Sequence, residues 1–147
     1  MQRRFSLRSG IQVAIVDTGP VYAVADASDA DHAPSLAVFQ RRDLHLIIPA
    51  LVIAEASYLL SSRAGPAAEA AFFRGLSGFE VVAPLPADWP RIADLVEEYG
   101  DWPLGGVDAS VVALAERLGT DLVITLDRRH FGAIRPRHCA AFRILPE

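Results

Sequence analysis

The stretch IQVAIVDTGP, Ile11 to Pro20, decides how the rest of the chain is read. Ile11, Val13, Ile15 and Val16 form a short apolar run rich in β-branched residues. That is the pattern of a parallel strand covered by helices on both faces. The run stops at Asp17, the first charge after it, and Gly19 and Pro20 break the strand at once. In open α/β sheets ligands bind beyond the carboxyl ends of the strands, so an acid at this spot points to a site. The alternative is that Asp17 caps the helix that follows.

Working outward, strands alternate with helical patterns along the whole chain. Residues 20–27 predict a short helix with Pro20 in its permissive first turn, and residues 32–43 predict a second helix. Leu44–Pro49 is a second buried strand. Residues 50–65 are helical by period and stop at Gly65; residues 66–78 continue as another helix, and FEVVAP (79–84) is a third strand. Asp88 to Gly100 places Ile92, Leu95, Val96 and Tyr99 on an inner face. After the turn-rich DWPLGG (101–106), VDASVVALAERLG (107–119) is a strongly patterned helix. DLVITLD (121–127) is a fourth strand with its own terminal acid, and AFRIL (141–145) is a short last strand. The alternation predicts an α/β fold with a mainly parallel central sheet of four to five strands.

Composition sets bounds on function. The chain has 147 residues, 52% hydrophobic and 22% charged, as expected of one globular domain over residues 11–147. Residues 1–10, MQRRFSLRSG, lack the apolar region of a secretory signal and read as a loose N-terminal extension. No apolar run is long enough to cross a bilayer. A single cysteine, Cys139, excludes a disulfide framework or a cysteine metal cluster and fits a reducing, cytoplasmic setting. All 14 basic residues are arginine. The absence of lysine removes P-loop phosphate binding and Schiff-base chemistry. The net charge of −4 argues against a simple phosphate-coating DNA-binding protein.

Four carboxylates stand out. Asp17 and Asp127 each follow an apolar strand. Glu55 has Leu51, Val52, Tyr58 and Leu59 three and four residues away, which puts it in the middle of the face its helix should bury. A glutamate is rarely buried without a partner, and a salt bridge to an arginine is the bland explanation. Asp108 follows a Gly-Gly turn and opens a helix, where aspartate is a favoured N-cap. Two unit charges about 4 Å apart repel by roughly 4 kcal/mol at an effective dielectric of about 20, so a cluster of acids calls for a cation. Oxygen-only ligands suit Mg²⁺ or Mn²⁺ rather than zinc. The four histidines form no competing set, and only His130 lies near an acid motif. Metal pairs held by carboxylates are a standard device for phosphodiester hydrolysis. Arg128 and Arg129, directly after Asp127, are candidate phosphate contacts.

These motifs carry a resemblance. IVDTGP with Asp17 and Thr18, LVIAEASYLL with Glu55, GGVDASVVALAERLG with Asp108 and TLDRRHF with Asp127 occur in one order over nearly the whole chain after Gly10. The sequence resembles the PIN-domain ribonucleases, in particular the VapC toxins of bacterial type II toxin–antitoxin pairs. The resemblance implies a PIN-like three-layer α/β/α sandwich. It implies Asp17, Glu55, Asp108 and Asp127 as the catalytic, metal-binding set, with Thr18 and Thr125 as hydroxyl supports. It further implies a Mg²⁺-dependent endoribonuclease, with Mn²⁺ able to substitute, that cleaves structured RNA such as tRNA or ribosomal RNA. The implied partners are that RNA, a small cognate antitoxin and a second copy of the chain in a homodimer. A PIN-like module that binds RNA or protein without cutting is the alternative of a different class. The DTG at residues 17–19 also matches aspartic proteases, but those pair two such loops on β-hairpins, and this helix-rich chain has one.

Overall fold

A computed structural model describes residues 10–102 and 104–147. The expected N-terminal extension falls on residues 1–9, which lie outside the described residues, apart from Gly10. Five strands make one sheet in the order β3-β2-β1-β4-β5: β1 (Gln12–Val16), β2 (Leu44–Pro49), β3 (Glu80–Val82), β4 (Leu122–Ile124) and β5 (Arg143–Leu145). Every pairing is parallel, so the mainly parallel sheet expected from sequence is wholly parallel among the described residues.

The centre of the sheet is β1, whose Ala14, Ile15 and Val16 are completely buried. Ile15 lies in register with Ile47 of β2 on one side and Val123 of β4 on the other. A strand with neighbours on both edges and helices on both faces has no exposed surface to make polar. That is why its sequence is continuously apolar rather than alternating. From β1 the chain builds outward to β2 and β3, then returns to the other side of β1 for β4 and β5. The order therefore reverses between β1 and β4, the place where α/β sheets open a crevice beyond their strand ends.

The helices are α1 (Thr18–Ala25), α2 (His32–Phe39), α3 (Ala50–Ala64), α4 (Pro66–Gly75), α5 (Asp88–Glu98), α6 (Gly106–Leu118) and α7 (Arg128–Ala133). Between α3 and α4 the chain turns at Gly65, whose φ of +82° is accessible to glycine and costly for other residues. In α6 every residue from Ala109 to Ala115 is buried, so this helix is enclosed almost all round rather than along one stripe. Two ion pairs tie α5 to α6: Arg91 to Glu116 at 2.7 Å and Arg117 to Asp88 at 3.0 Å.

Several elements differ from expectation, among them the second helix, which stops at Phe39 short of Asp43, and the third strand, which spans Glu80–Val82 within the expected 79–84. The fourth strand ends at Ile124 instead of Asp127. Beyond it the Thr125 hydroxyl accepts the Asp127 N–H at 3.0 Å, a local turn that draws the chain out of the ladder. Residues 128–133 then form α7, which sequence reading missed because six residues with three basic side chains show no helical period.

Candidate functional site

The β1–α1 turn sets the first acid. Asp17 donates its backbone N–H to the Ile124 carbonyl at 2.9 Å, holding the end of β1 against the end of β4. At Gly19 a side-chain methyl would stand 3.3 Å from Leu126, so glycine lets the start of α1 pack closely on the chain leaving β4. Asp17 is 6% exposed, and its Oδ2 accepts a 2.8 Å hydrogen bond from the Thr125 hydroxyl. Since that hydroxyl also accepts from the Asp127 N–H, Thr125 links the two acids through one oxygen. Thr125, expected as a hydroxyl support, is thus hydrogen-bonded to both Asp17 and the Asp127 backbone.

Asp17 occupies the N-cap position of α1, but its side chain makes no capping bond there. Its Oδ1 and the Thr18 hydroxyl are both buried without a hydrogen-bond partner among the described residues. An orphaned carboxylate oxygen beside an orphaned hydroxyl is costly to bury unless something cationic completes the site. The cap reading of Asp17 from sequence thus fails on geometry.

Asp108 is in the first turn of α6, and the residue at the N-cap is Gly105, so Asp108 is not the expected cap. Gly105 is the N-cap and Gly106 the first helical residue, so Asp108 falls at the third position of the helix. Asp108 is half-buried, and its carboxyl is pushed up to about 7 by burial first, then by the charges of Asp17, Glu55 and Asp127. Burial also raises Asp17, against the Thr125 hydrogen bond, with Glu55 and Asp127 adding to the rise. The four acids therefore share one electrostatic neighbourhood. Among the described residues, no three of them converge tightly enough to form a ready-made metal cluster.

Glu55 corrects the sequence reading. It is exposed, while α3 buries Val52, Ala56 and Leu60. Of its four apolar neighbours only Val52 is core: Tyr58 is 70% exposed, and Leu51 and Leu59 are only partly buried. Glu55 stands at the open side of the cluster, close enough to raise both Asp17 and Asp108. The arginine salt bridge weighed for it is also absent. Among the described residues neither Glu55, Asp17 nor Asp108 pairs with an arginine.

Asp127 does act as a cap. Its Oδ1 accepts the backbone N–H of His130 at 3.0 Å, closing the first turn of α7, and its Oδ2 pairs with His130 Nδ1. His130, which the sequence places with Arg128 and Arg129 as well positioned to hold phosphates, is here paired with Asp127; the acid-x-x-His spacing after a strand was the available signal for that pairing. Of the two arginines, Arg128 donates to the Ile144 and Pro146 carbonyls of the C-terminal segment. Arg129 instead places its guanidinium over the Trp102 ring, 5.2 Å from its centre. The two therefore differ in what they can offer a phosphate: among the described residues the Arg129 side chain has no backbone hydrogen bond, and Arg128 has two.

The donor set fits a hard divalent ion. It consists of carboxylate and hydroxyl oxygens, with Asp17 Oδ1 and the Thr18 hydroxyl unsatisfied, and no neighbouring arginine neutralises the acids. A pH prediction follows from the raised carboxyls. Asp108 and Asp17 hold protons in the folded state over a range where the unfolded chain has lost them. For Asp108 that contribution is complete below the ordinary carboxylate range and is lost as pH rises through about 7, and Asp17 acts in the same direction. Melting of the protein in EDTA should fall from pH 5 to pH 8, by up to about 1 kcal/mol per pH unit after solvent screening. Asp108→Asn should flatten that slope.

The PIN domain family matches residues 14–135 of this chain. The chain is 37% identical over 134 residues to Ribonuclease VapC26 of Mycobacterium tuberculosis, covering 90% of this chain and 99% of that protein. Among solved structures, Mycobacterium tuberculosis VapC20, a sarcin–ricin loop cleaving toxin, superposes with a TM-score of 0.72 at 19% identity. That match covers 79% of this chain and 91% of the other. VapBC2 from Rickettsia felis, bound to a DNA fragment from its promoter, gives 0.68 at 14% identity over 92% of this chain and 100% of that one. At those identities the structural likeness bears on the fold alone: an α/β sandwich around a parallel sheet.

Proposed function

This chain belongs to the PIN domain family, with a VapC ribonuclease as a close relative, and from that premise we propose that it is a metal-dependent endoribonuclease. The observation that carries the proposal is the buried Asp17 carboxylate. One oxygen is held by Thr125, the other has no partner, and three more acids lie in its electrostatic neighbourhood. Folding keeps such a group only at a cost, and a bound cation offsets that cost.

Asp17, Asp108 and Glu55 would hold the ion, with Asp127 at the rim and the Thr18 hydroxyl as a further oxygen. Mg²⁺ is the expected ion and Mn²⁺ its substitute. When bound, the ion supplies charge neutralisation and Lewis-acid activation for attack by water on a phosphodiester. The chain's own residues fix the geometry. Thr125 orients Asp17, the buried α6 presents Asp108 rigidly, and His130 holds Asp127 against the start of α7. The exposed position of Glu55 leaves the cluster open on the side from which a phosphate backbone can approach.

We further propose that the chain is the toxin of a type II toxin–antitoxin pair, acting in the cytoplasm on structured RNA such as tRNA or ribosomal RNA. The likeness to VapC26, VapC20 and the Rickettsia felis VapBC2 complex supports this reading. No helix among the described residues is long and apolar enough to cross a membrane. An apolar groove of about 280 Å³, lined by Val21, Val24, Phe39, Phe72, Leu76 and Phe79, offers an antitoxin an apolar surface to cover. The exposed Tyr58 beside partly buried Leu51 and Leu59 supports a homodimer through α3. A module that binds without cutting is the second reading, favoured by the loose spacing of the acids. Expression in bacteria separates the two. Wild type alone should arrest growth, and Asp17→Asn at equal protein level should not. Arrest by both proteins would point to binding without turnover.

A further inference from the structure

The loop between α5 and α6 carries Trp102, whose backbone N–H donates to the Tyr99 carbonyl at 3.0 Å. The side chain is 39% exposed although it is large and apolar. It is also held in place. The Arg129 guanidinium lies over the ring at 5.2 Å, and the His130 ring meets it edge-on, 5.8 Å between centres and 80° between planes. Both partners come from α7, and His130 is the residue paired with Asp127. The same loop precedes α6, which begins at Gly106 and carries Asp108 in its first turn. An exposed indole is thus fixed by a cation and a second ring, the latter paired with one of the acids, Asp127.

A tryptophan left open but restrained on two sides is preorganised for a flat ligand, because little side-chain freedom remains to be lost. Arg129 forms no ion pair with a carboxylate among the described residues, so its charge is available to an anion. Planar aromatic surface, an uncommitted arginine and adjacent acids able to act on a phosphodiester match a nucleotide's base, phosphate and scissile bond. Stacking needs a base freed from pairing, and RNA offers such bases in loops and bulges.

We propose that Trp102, pinned by Arg129 and His130, is a stacking platform for one unpaired base of the RNA, placed beside the acids that act on its backbone. This rests on the ribonuclease reading and adds a specificity: unpaired over duplex RNA. Arg129 holds the indole and contacts the phosphate of the stacked nucleotide.

The chain has two tryptophans, so Trp89→Phe leaves Trp102 as the sole indole. In a Trp89→Phe, Asp17→Asn protein, a hairpin oligoribonucleotide with an unpaired loop should quench indole fluorescence. A fully paired duplex of the same sequence should not. In the active Trp89→Phe protein, Trp102→Ala should raise KM for the hairpin about 5- to 100-fold, with kcat little changed, and Trp102→Phe should retain most of the affinity. A cooperative thermal melt confirms that each variant is folded. Cleavage with neither quenching nor a KM change overturns the platform alone. Equal quenching by hairpin and duplex also overturns it, since backbone contact would then suffice. Quenching by the hairpin with no cleavage by wild type leaves the platform standing and sinks the ribonuclease reading.

Discussion

Asp17→Asn should remove RNA cleavage, by about 10³-fold or more, and in the same protein should raise the melting temperature measured without metal. The first effect follows from position. Asp17 is the most buried of the four acids and the one with an unsatisfied oxygen. Loss of an outer-shell partner costs about 10- to 100-fold in metal affinity or activity, and loss of a direct ligand costs more. Thr125→Val, which deletes the hydrogen bond to Asp17 and spares the carboxylate, should fall in that lower range. The second effect follows from desolvation. An amide of the same shape carries no charge to bury and feels no repulsion from Glu55 and Asp127, so it relieves the strain that raises Asp17. A gain of about 1–2 kcal/mol, or roughly 2–8 °C for a domain of this size, is expected. Thermal melts in EDTA and a cleavage time course check both halves. A variant that loses activity and stability together would show that Asp17 serves the fold rather than the site.

Metal binding should stabilise the wild-type protein strongly. An ion at about 100 times its dissociation constant adds about 2.7 kcal/mol, which is roughly 5–11 °C for a chain of this size. The increment should be larger at pH 8 than at pH 6. Asp108 holds its proton up to about 7, so at the lower pH the ion must displace it. Asp108→Asn should remove most of the increment together with its pH dependence. Glu55→Gln should reduce it less, because Glu55 is exposed and can be replaced by water. Calorimetric or fluorescence melts over a Mg²⁺ and Mn²⁺ series measure this. A melting temperature indifferent to millimolar Mg²⁺ at pH 8 would leave the acids without a cation to hold.

Much of this was legible in the sequence because a central parallel strand has a distinctive composition. Burial on both faces forces continuous β-branched residues in β1, so the first charge after it stood out as Asp17. The strand and helix order followed from the same contrast between apolar runs and helical period. The misreadings have local causes. Around Glu55, apolar residues at three- and four-residue spacing describe a face but not what covers it, and here solvent touches Tyr58. At Asp108 the cap preference of aspartate was outweighed by two glycines that let the helix begin earlier. At Asp127 the opposite happened: an acid read as a ligand also caps α7, through a helix too short to show a period. Contacts that join distant segments left no trace in local pattern. Arg129 over Trp102 and Thr125 on Asp17 exist only once the sheet brings β1 and β4 together.

The most direct test of the metal site as the seat of RNA cleavage is reversible chelation during one reaction. Purified wild-type protein is mixed with a labelled structured RNA in Mg²⁺, then given excess EDTA, then Mg²⁺ beyond the EDTA. Cleavage should run, stop and resume, and Asp17→Asn should be silent throughout. Cleavage that continues through the EDTA interval, or that Asp17→Asn retains, would contradict a metal-dependent site built on Asp17.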